Sequence, residues 1–218
     1  MSNKITKISK LKNIESFMQI NYLKGFKYID KVGEILNLYQ YESGAIAYDM
    51  SPDRLIIPKP IPQITEMKIS NIDFWCHYID PKNLGESERI FIAEAEKILK
   101  IINPEKATRI GWRNYYVYEL RSKPNNLNSV MKLNTATLQE LSLQKELNDS
   151  TKTSVKVKLL KKKSGDEVVL FFDLDVYIDK RFELQEALKS FNELKSSIES
   201  TKILDFMNEI IRYIEKQK

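Results

Sequence analysis

Twice along this chain an apolar, alternating run ends in Tyr-Ile-Asp and gives way to an amphipathic helical stripe: first at Cys76-His-Tyr-Ile-Asp-Pro-Lys82, then at Asp175-Val-Tyr-Ile-Asp-Lys-Arg181. A strand that buries one face needs a cover, and a helix that follows it directly is the nearest one available. The pattern predicts an α+β fold, with a mainly antiparallel sheet, or two sheets, covered by helices. It also predicts two pseudo-repeated strand-strand-strand-helix halves forming one unit. Residues 1–105 would hold an N-terminal helix plus the first half; residues 106–218 would hold a strand, an excursion, a hairpin with its helix and a C-terminal helix.

Periodicity supplies the other elements. Ile29, Val32, Ile35, Leu36 and Tyr39 recur on one helical face, and so do Phe91, Ile92, Ala95, Ile98, Leu99 and Ile102 before Asn103-Pro104. Ala45–Asp49 and Arg54–Ile57 read as a hairpin turning at Ser51-Pro52-Asp53. Glu66 to Ile79 reads as one long strand whose phase slips at Ser70-Asn71, which predicts a bulge or a bend. Ala107–Leu120 alternates Ile110, Trp112, Asn114, Tyr116 and Tyr118 against Arg109, Gly111, Arg113 and Tyr115. Ser122 to Ser150 is polar and weakly patterned, and a partly helical excursion is expected there. Thr153–Lys161 and Glu167–Asp179 form a second hairpin around Lys163-Ser-Gly-Asp166; Leu184–Ile198 and Ile203–Ile214 are closing helices.

Apolar residues make up 42% of the 218 and charged residues 30%, a balance that buries a core without a staple. The single cysteine, Cys76, offers no disulfide framework or multi-cysteine zinc site, which predicts a reducing compartment, the cytoplasm. No apolar run behaves as a leader or a membrane span, so no membrane partner is expected. A net charge of +5, from 35 basic and 30 acidic residues, permits nucleic-acid binding without arguing for it.

Several constellations could carry chemistry. Val168-Val-Leu-Phe-Phe-Asp-Leu-Asp-Val176 invites comparison with haloacid-dehalogenase phosphatases, whose nucleophile is the first Asp of such a pair. That reading fails, because Val176 and Tyr177 stand where small and hydroxyl residues belong and only helical stripes follow. Asp173, Asp175 and Asp179 share one strand face, Arg109 and Arg113 share another, and pairing of the two strands would set them opposite one another as register-fixing ion pairs. Alternatively Arg109 and Arg113, with Gly111 between them, form an anion site beside Tyr115. His77, alone of its kind, reads as a packed or surface histidine, and Cys76 as a buried small hydrophobe. No metal or cofactor motif occurs. Lys156, Lys158, Lys161, Lys162 and Lys163 would guard an exposed edge strand or, with Arg54 and Lys59, grip a phosphate backbone.

Arg109-Ile-Gly-Trp-Arg113 in one strand and Leu174-Asp-Val-Tyr177 in another, each with helices behind, resemble a sporadically distributed family of uncharacterised bacterial proteins that shows Arg-x-Gly-x-Arg-Tyr and Leu-Asp-x-Asp-aromatic strands. The likeness spans roughly residues 60–215, and Asn114 displaces the aromatic expected after the second arginine to Tyr115. It implies a bacterial or mobile-element setting and no particular activity. The residues themselves favour a non-catalytic interaction protein that engages a partner protein or a second copy through the face of Arg109, Arg113, Tyr115, Asp173 and Asp175, or through the helix from Ile203. The alternatives are a nucleic-acid-binding protein using the hairpin 153–179 and, least supported, an enzyme acting on an anionic small molecule.

Overall fold

Strand pairing around a segment near the N-terminus organises the computed structural model, which describes residues 6, 11–23, 28–43, 48–81, 83–119, 140–148, 150–161 and 168–216. The strand is β1 (Lys12–Tyr22), in which Ser16, Met18, Ile20 and Tyr22 are buried at every second position. After α1 (Tyr28–Ser43) come β2 (Asp49–Ser51), β3 (Arg54–Pro58), β4 (Glu66–Ser70), β5 (Asp73–Ile79) and α2 (Leu84–Ile102). The second half holds β6 (Ala107–Glu119), β7 (Glu140–Glu146), β8 (Thr151–Lys161) and β9 (Val168–Phe182), then α3 (Leu184–Lys189), α4 (Phe191–Ile198) and α5 (Thr201–Lys216). The nine strands form one antiparallel sheet in the order β2-β3-β4-β5-β1-β6-β9-β8-β7, confirming the α+β class with helices as cover.

Read outward from the seam between β1 and β6, the order is the same on both sides, β1-β5-β4-β3 and β6-β9-β8-β7, with β2 added at one edge. The Tyr-Ile-Asp motifs are not the matched positions. Tyr78 points into the core whereas Tyr177 lies on the opposite face, because the two motifs differ by one residue of strand phase. Residues one hundred positions apart do match: Asp73 and Asp173 both lie buried on the face away from the helices, and Phe91 and Phe191 meet under the helices at 4.8 Å between ring centroids.

Four expectations are corrected. The N-terminal half begins with a strand, β1, rather than with helix α1. Glu66–Ile79 is a hairpin and not one bulged strand: Ser70 Oγ accepts from the Asp73 backbone N–H at 3.0 Å and closes a tight turn. Residues 140–146 are a strand, β7, whose Leu143 packs against the core while Gln144 and Lys145 are exposed. Leu184–Ile198 is two short helices. The first hairpin lies at 49–58, its expected start at 45–47 falling outside the described residues, as do 120–139 and the turn at 162–167.

Helix α2 shows how local chemistry bounds these elements. Asn83 Oδ1 accepts from Glu86 N–H at 2.7 Å, satisfying a donor left over at the first turn, and Asn103 closes the other end in left-handed conformation with its N–H on Leu99 O at 2.8 Å before Pro104. Its Phe91, Ala95, Ile98 and Ile102 stripe packs on the sheet. All the described helices lie on the face lined by Met18, Ile20, Phe74, Cys76, Ile110, Trp112, Leu174, Val176 and Ile178. Cys76 is buried there, and burial pushes its thiol well up.

Under the helices, at the seam, lies a polar thread. Trp112 Nε1 donates to Ser16 Oγ at 2.7 Å, Ser16 Oγ donates to Asn114 Oδ1 at 2.9 Å, and Asn13 Nδ2 donates to the same oxygen at 3.0 Å. Trp112 fills the centre of the core and is fully buried. Its replacement by alanine is expected to cost about 3–5 kcal/mol, read as a fall in urea midpoint with unchanged slope.

Candidate functional site on the open sheet face

The helices cover one face of the sheet, so the residues of alternate phase on the other face meet no helix among the described ones. Across the five central strands these are Lys68 on β4, Asp73, Trp75 and His77 on β5, Glu15, Phe17 and Gln19 on β1, Arg109, Gly111, Arg113 and Tyr115 on β6, and Phe171, Asp173, Asp175, Tyr177 and Asp179 on β9. Most of them bound a recess of about 320 Å³ that straddles the seam, so both halves build it.

The arginines and aspartates meet as expected, with one geometrical difference. In strand register Arg113 stands opposite Asp175 and Arg109 opposite Asp179, yet the strongest bonds run diagonally. Arg113 donates from Nε to Asp173 Oδ1 at 2.6 Å and from Nη2 to Asp173 Oδ2, a two-point clasp. Arg109 donates from Nη2 to Asp175 Oδ2 at 3.0 Å, and its Nε lies 3.5 Å from Asp179. Arg109 thus reaches both its diagonal partner and the residue directly opposite it, whereas Arg113 bonds its diagonal partner.

Gly111 lies beneath the Arg109–Asp175 pair. A methyl group there would sit 3.7 Å from Asp175 Oδ1, 3.8 Å from Tyr177 Cβ and 3.9 Å from Arg109 Nε. A methyl would thus meet the ion pair that crosses above the glycine in ordinary contact, and a longer side chain would press against it. Rings secure the cations from the other side: Arg109 stacks at 4.4 Å from the centroid of Tyr177, and Arg113 lies 5.3 Å from that of Tyr115.

The other half of the recess repeats the arrangement with different residues. Buried Asp73 accepts from Lys68 Nζ at 3.1 Å, from Gln19 Nε2 at 2.9 Å and from Ser70 Oγ. Lys68 also lies 5.9 Å from the Trp75 ring. Between the halves Phe17 acts as a hub, edge-on to Trp75 at 6.0 Å and to Tyr115 at 5.5 Å, and stacked parallel on His77 at 4.2 Å. His77 Nε2 lies 3.3 Å from Glu15 Oε2, which makes it a packed residue of the face.

Every described cation lining the recess thus has a carboxylate partner, and every lining carboxylate has a cation. Burial still dominates at Asp175: its carboxyl is held above the ordinary carboxylate range, raised also by Asp173 and Asp179 against the lowering pull of Arg109 and Arg113. Bonding to Asp173 holds Arg113 charged above its ordinary range, and burial raises the Tyr115 phenol. Among the described residues no group of three or more His, Cys, Asp or Glu is placed to hold a metal ion.

The lysines of the second hairpin sit differently from expectation. β7 pairs along β8, so Lys156 and Lys158 occupy an interior strand and not an edge; in register they face Asp173 and Phe171. The side chain of Lys161 and residues 162 and 163 lie outside the described residues. Arg54 and Lys59 lie on and just past β3, at the far side of the sheet from that hairpin. Phe17, Gln19, Lys68 and Asp73 are not legible as site residues in the sequence; strand register brings them to this face.

Three outcomes test this geometry. Arg113→Ala, which leaves Asp173 buried without its clasp, is expected to cost about 1–3 kcal/mol, and the double change with Asp173→Leu is expected to be less destabilised than Arg113→Ala alone in urea titrations. A raised Asp175 carboxyl stabilises the folded state below its unfolded value near 3.8 and loses that advantage as pH rises through its higher folded value. Asp175→Asn should therefore gain stability relative to wild type between pH 3 and pH 6, measured by denaturant midpoints at each pH. Gly111→Ala should leave midpoint and spectra nearly unchanged, whereas Gly111→Leu should displace Arg109 and lower the midpoint.

No family model and no curated protein matches this chain. Among solved structures, an aspartate kinase of Clostridium acetobutylicum aligns with 85% of this chain and 32% of its own length, at 14% identity and a TM-score of 0.21. This chain therefore spans about a third of that enzyme, and a likeness this slight carries no argument about fold or chemistry.

Proposed function

We propose that the protein is a non-catalytic interaction protein of the bacterial cytoplasm that holds a partner protein on the open face of its sheet. The observation that carries this reading is the composition and fixation of that face. Trp75, Tyr115, Tyr177, Arg109 and Arg113 are the residue types that dominate binding energy in protein interfaces, and here the arginines are already immobilised by aspartates and rings. A preorganised face loses little side-chain entropy on binding. The resemblance to the sporadically distributed bacterial family adds a mobile-element or defence setting to this reading and no activity of its own. No described helix is long and apolar enough to cross a membrane.

The nucleic-acid reading is the weaker one. Lys156 lies opposite Asp173, and the cations of the recess are matched by carboxylates, which leaves little positive charge for a phosphate backbone. Reaction at the recess is weaker again, since its ionisable groups are committed to one another.

The full chain with an affinity tag, purified from its native cells after nuclease treatment, is expected to retain a stoichiometric protein partner. Trp75→Ala and Arg109→Ala proteins of native circular dichroism should retain at least about tenfold less of it. Equal capture by these variants, or a partner lost with nuclease, would overturn the reading.

A further inference from the structure

Resting on that reading, we infer that the recess across the β1/β6 seam takes an uncharged aromatic side chain with a polar tip, a tyrosine, presented by the partner protein. The argument starts from charge. Lys68 faces Asp73, Arg109 faces Asp175 and Asp179, and Arg113 is clasped by Asp173. An anionic group entering the recess meets cations already neutralised and carboxylates that repel it, and a cationic group meets the reverse. Desolvating an unmatched charge here is costly in either case, so the electrostatics select a neutral occupant.

Shape and polarity narrow the class. Phe17, Trp75 and Tyr115 present ring faces and edges in an edge-to-face cluster, which accommodates a further ring in the same offset geometry. Across β1, β6 and β9 the recess offers hydrogen-bonding valences of both kinds. Asp175 Oδ1 and Gln19 Oε1 accept no bond from the described residues, while Arg109 uses only Nη2, its buried Nε having no hydrogen-bond partner among them, and Arg113 uses only Nε and Nη2. A hydroxyl that donates to one and accepts from the other satisfies both. Of uncharged side chains with a ring, tyrosine carries that hydroxyl, and a recess of about 320 Å³ holds a phenol with room for the backbone that bears it. Nucleobases share the ring and the polar edge, but reach a protein attached to phosphates for which no unmatched cation lines the recess.

Trp75 provides the readout, since the chain has two tryptophans and the other, Trp112, is fully buried on the opposite face. The ¹⁵N-labelled full chain would be titrated with N-acetyl-tyrosinamide, its phenylalanine analogue, its O-phosphate and adenosine and guanosine monophosphates, following the indole N–H of Trp75, assigned with Trp75→Phe. The expected result is a saturable shift with the tyrosine probe that spares Trp112, about tenfold weaker binding of the phenylalanine analogue for the lost hydroxyl bonds, and weaker binding still of the phosphorylated probe. Tighter binding of the phosphorylated probe or of a nucleotide, equal binding of the phenylalanine analogue, or no saturable shift would overturn the inference. Failure here with partner capture still dependent on Trp75 and Arg109 would sink the tyrosine occupant alone; loss of that dependence would sink the interaction reading itself.

Discussion

The antiparallel pairing of β1 with β6 is the contact on which the rest of the molecule depends. It joins two four-strand arrangements of the same order into a single sheet and sets the phase of every strand on either side. Because side chains alternate, one register decision at Met18 opposite Trp112 sends the apolar residues of β5, β6, β8 and β9 beneath the helices and the charged and aromatic ones to the other surface. The Trp112–Ser16–Asn114 thread marks that register from inside: a slip of one residue would turn the indole out of the core and strand three polar groups.

The open face is built by the same decision, and its character comes from balance. Arg109 and Arg113 are each held by an aspartate, Arg113 by buried Asp173 and Arg109 by half-buried Asp175. Such pairs add little to stability beyond about 1 kcal/mol where exposed. Their effect is to turn flexible cations into fixed hydrogen-bonding edges with the net charge removed. Gly111 contributes space beneath the Arg109–Asp175 pair, enough for a methyl group in ordinary contact but not for a long side chain.

Much of this is legible in the sequence. β6, β8, β9 and α2 announce themselves by clean period-two or helical stripes, and shared strand faces were enough to bring Arg109 and Arg113 to the aspartates. What escaped was non-local or disguised. β1 buries Ser16 and carries Asn13, Glu15 and Gln19, so its alternation looks weak until its neighbours supply hydrogen-bond partners. The hairpin at Ser70–Asp73 flips strand phase just as a bulge does, and only cross-strand pairing separates the two. Phe17 and Lys68 reach the recess through register alone, and the matching Tyr-Ile-Asp motifs misled because identical letters sit on opposite faces.

β1 is made before either of the strands that flank it. Its slot lies between β5 and β6, strands translated long after it, so on the ribosome it must wait as an unpaired alternating segment with both edges open. The first half can close around it with β5, but that assembly then carries a bare edge along β1 until β6 arrives. Any agent that slows synthesis between α2 and β6 prolongs this exposed intermediate. The sheet's centre is thus where a newborn chain is most open to pairing with a neighbouring copy of itself.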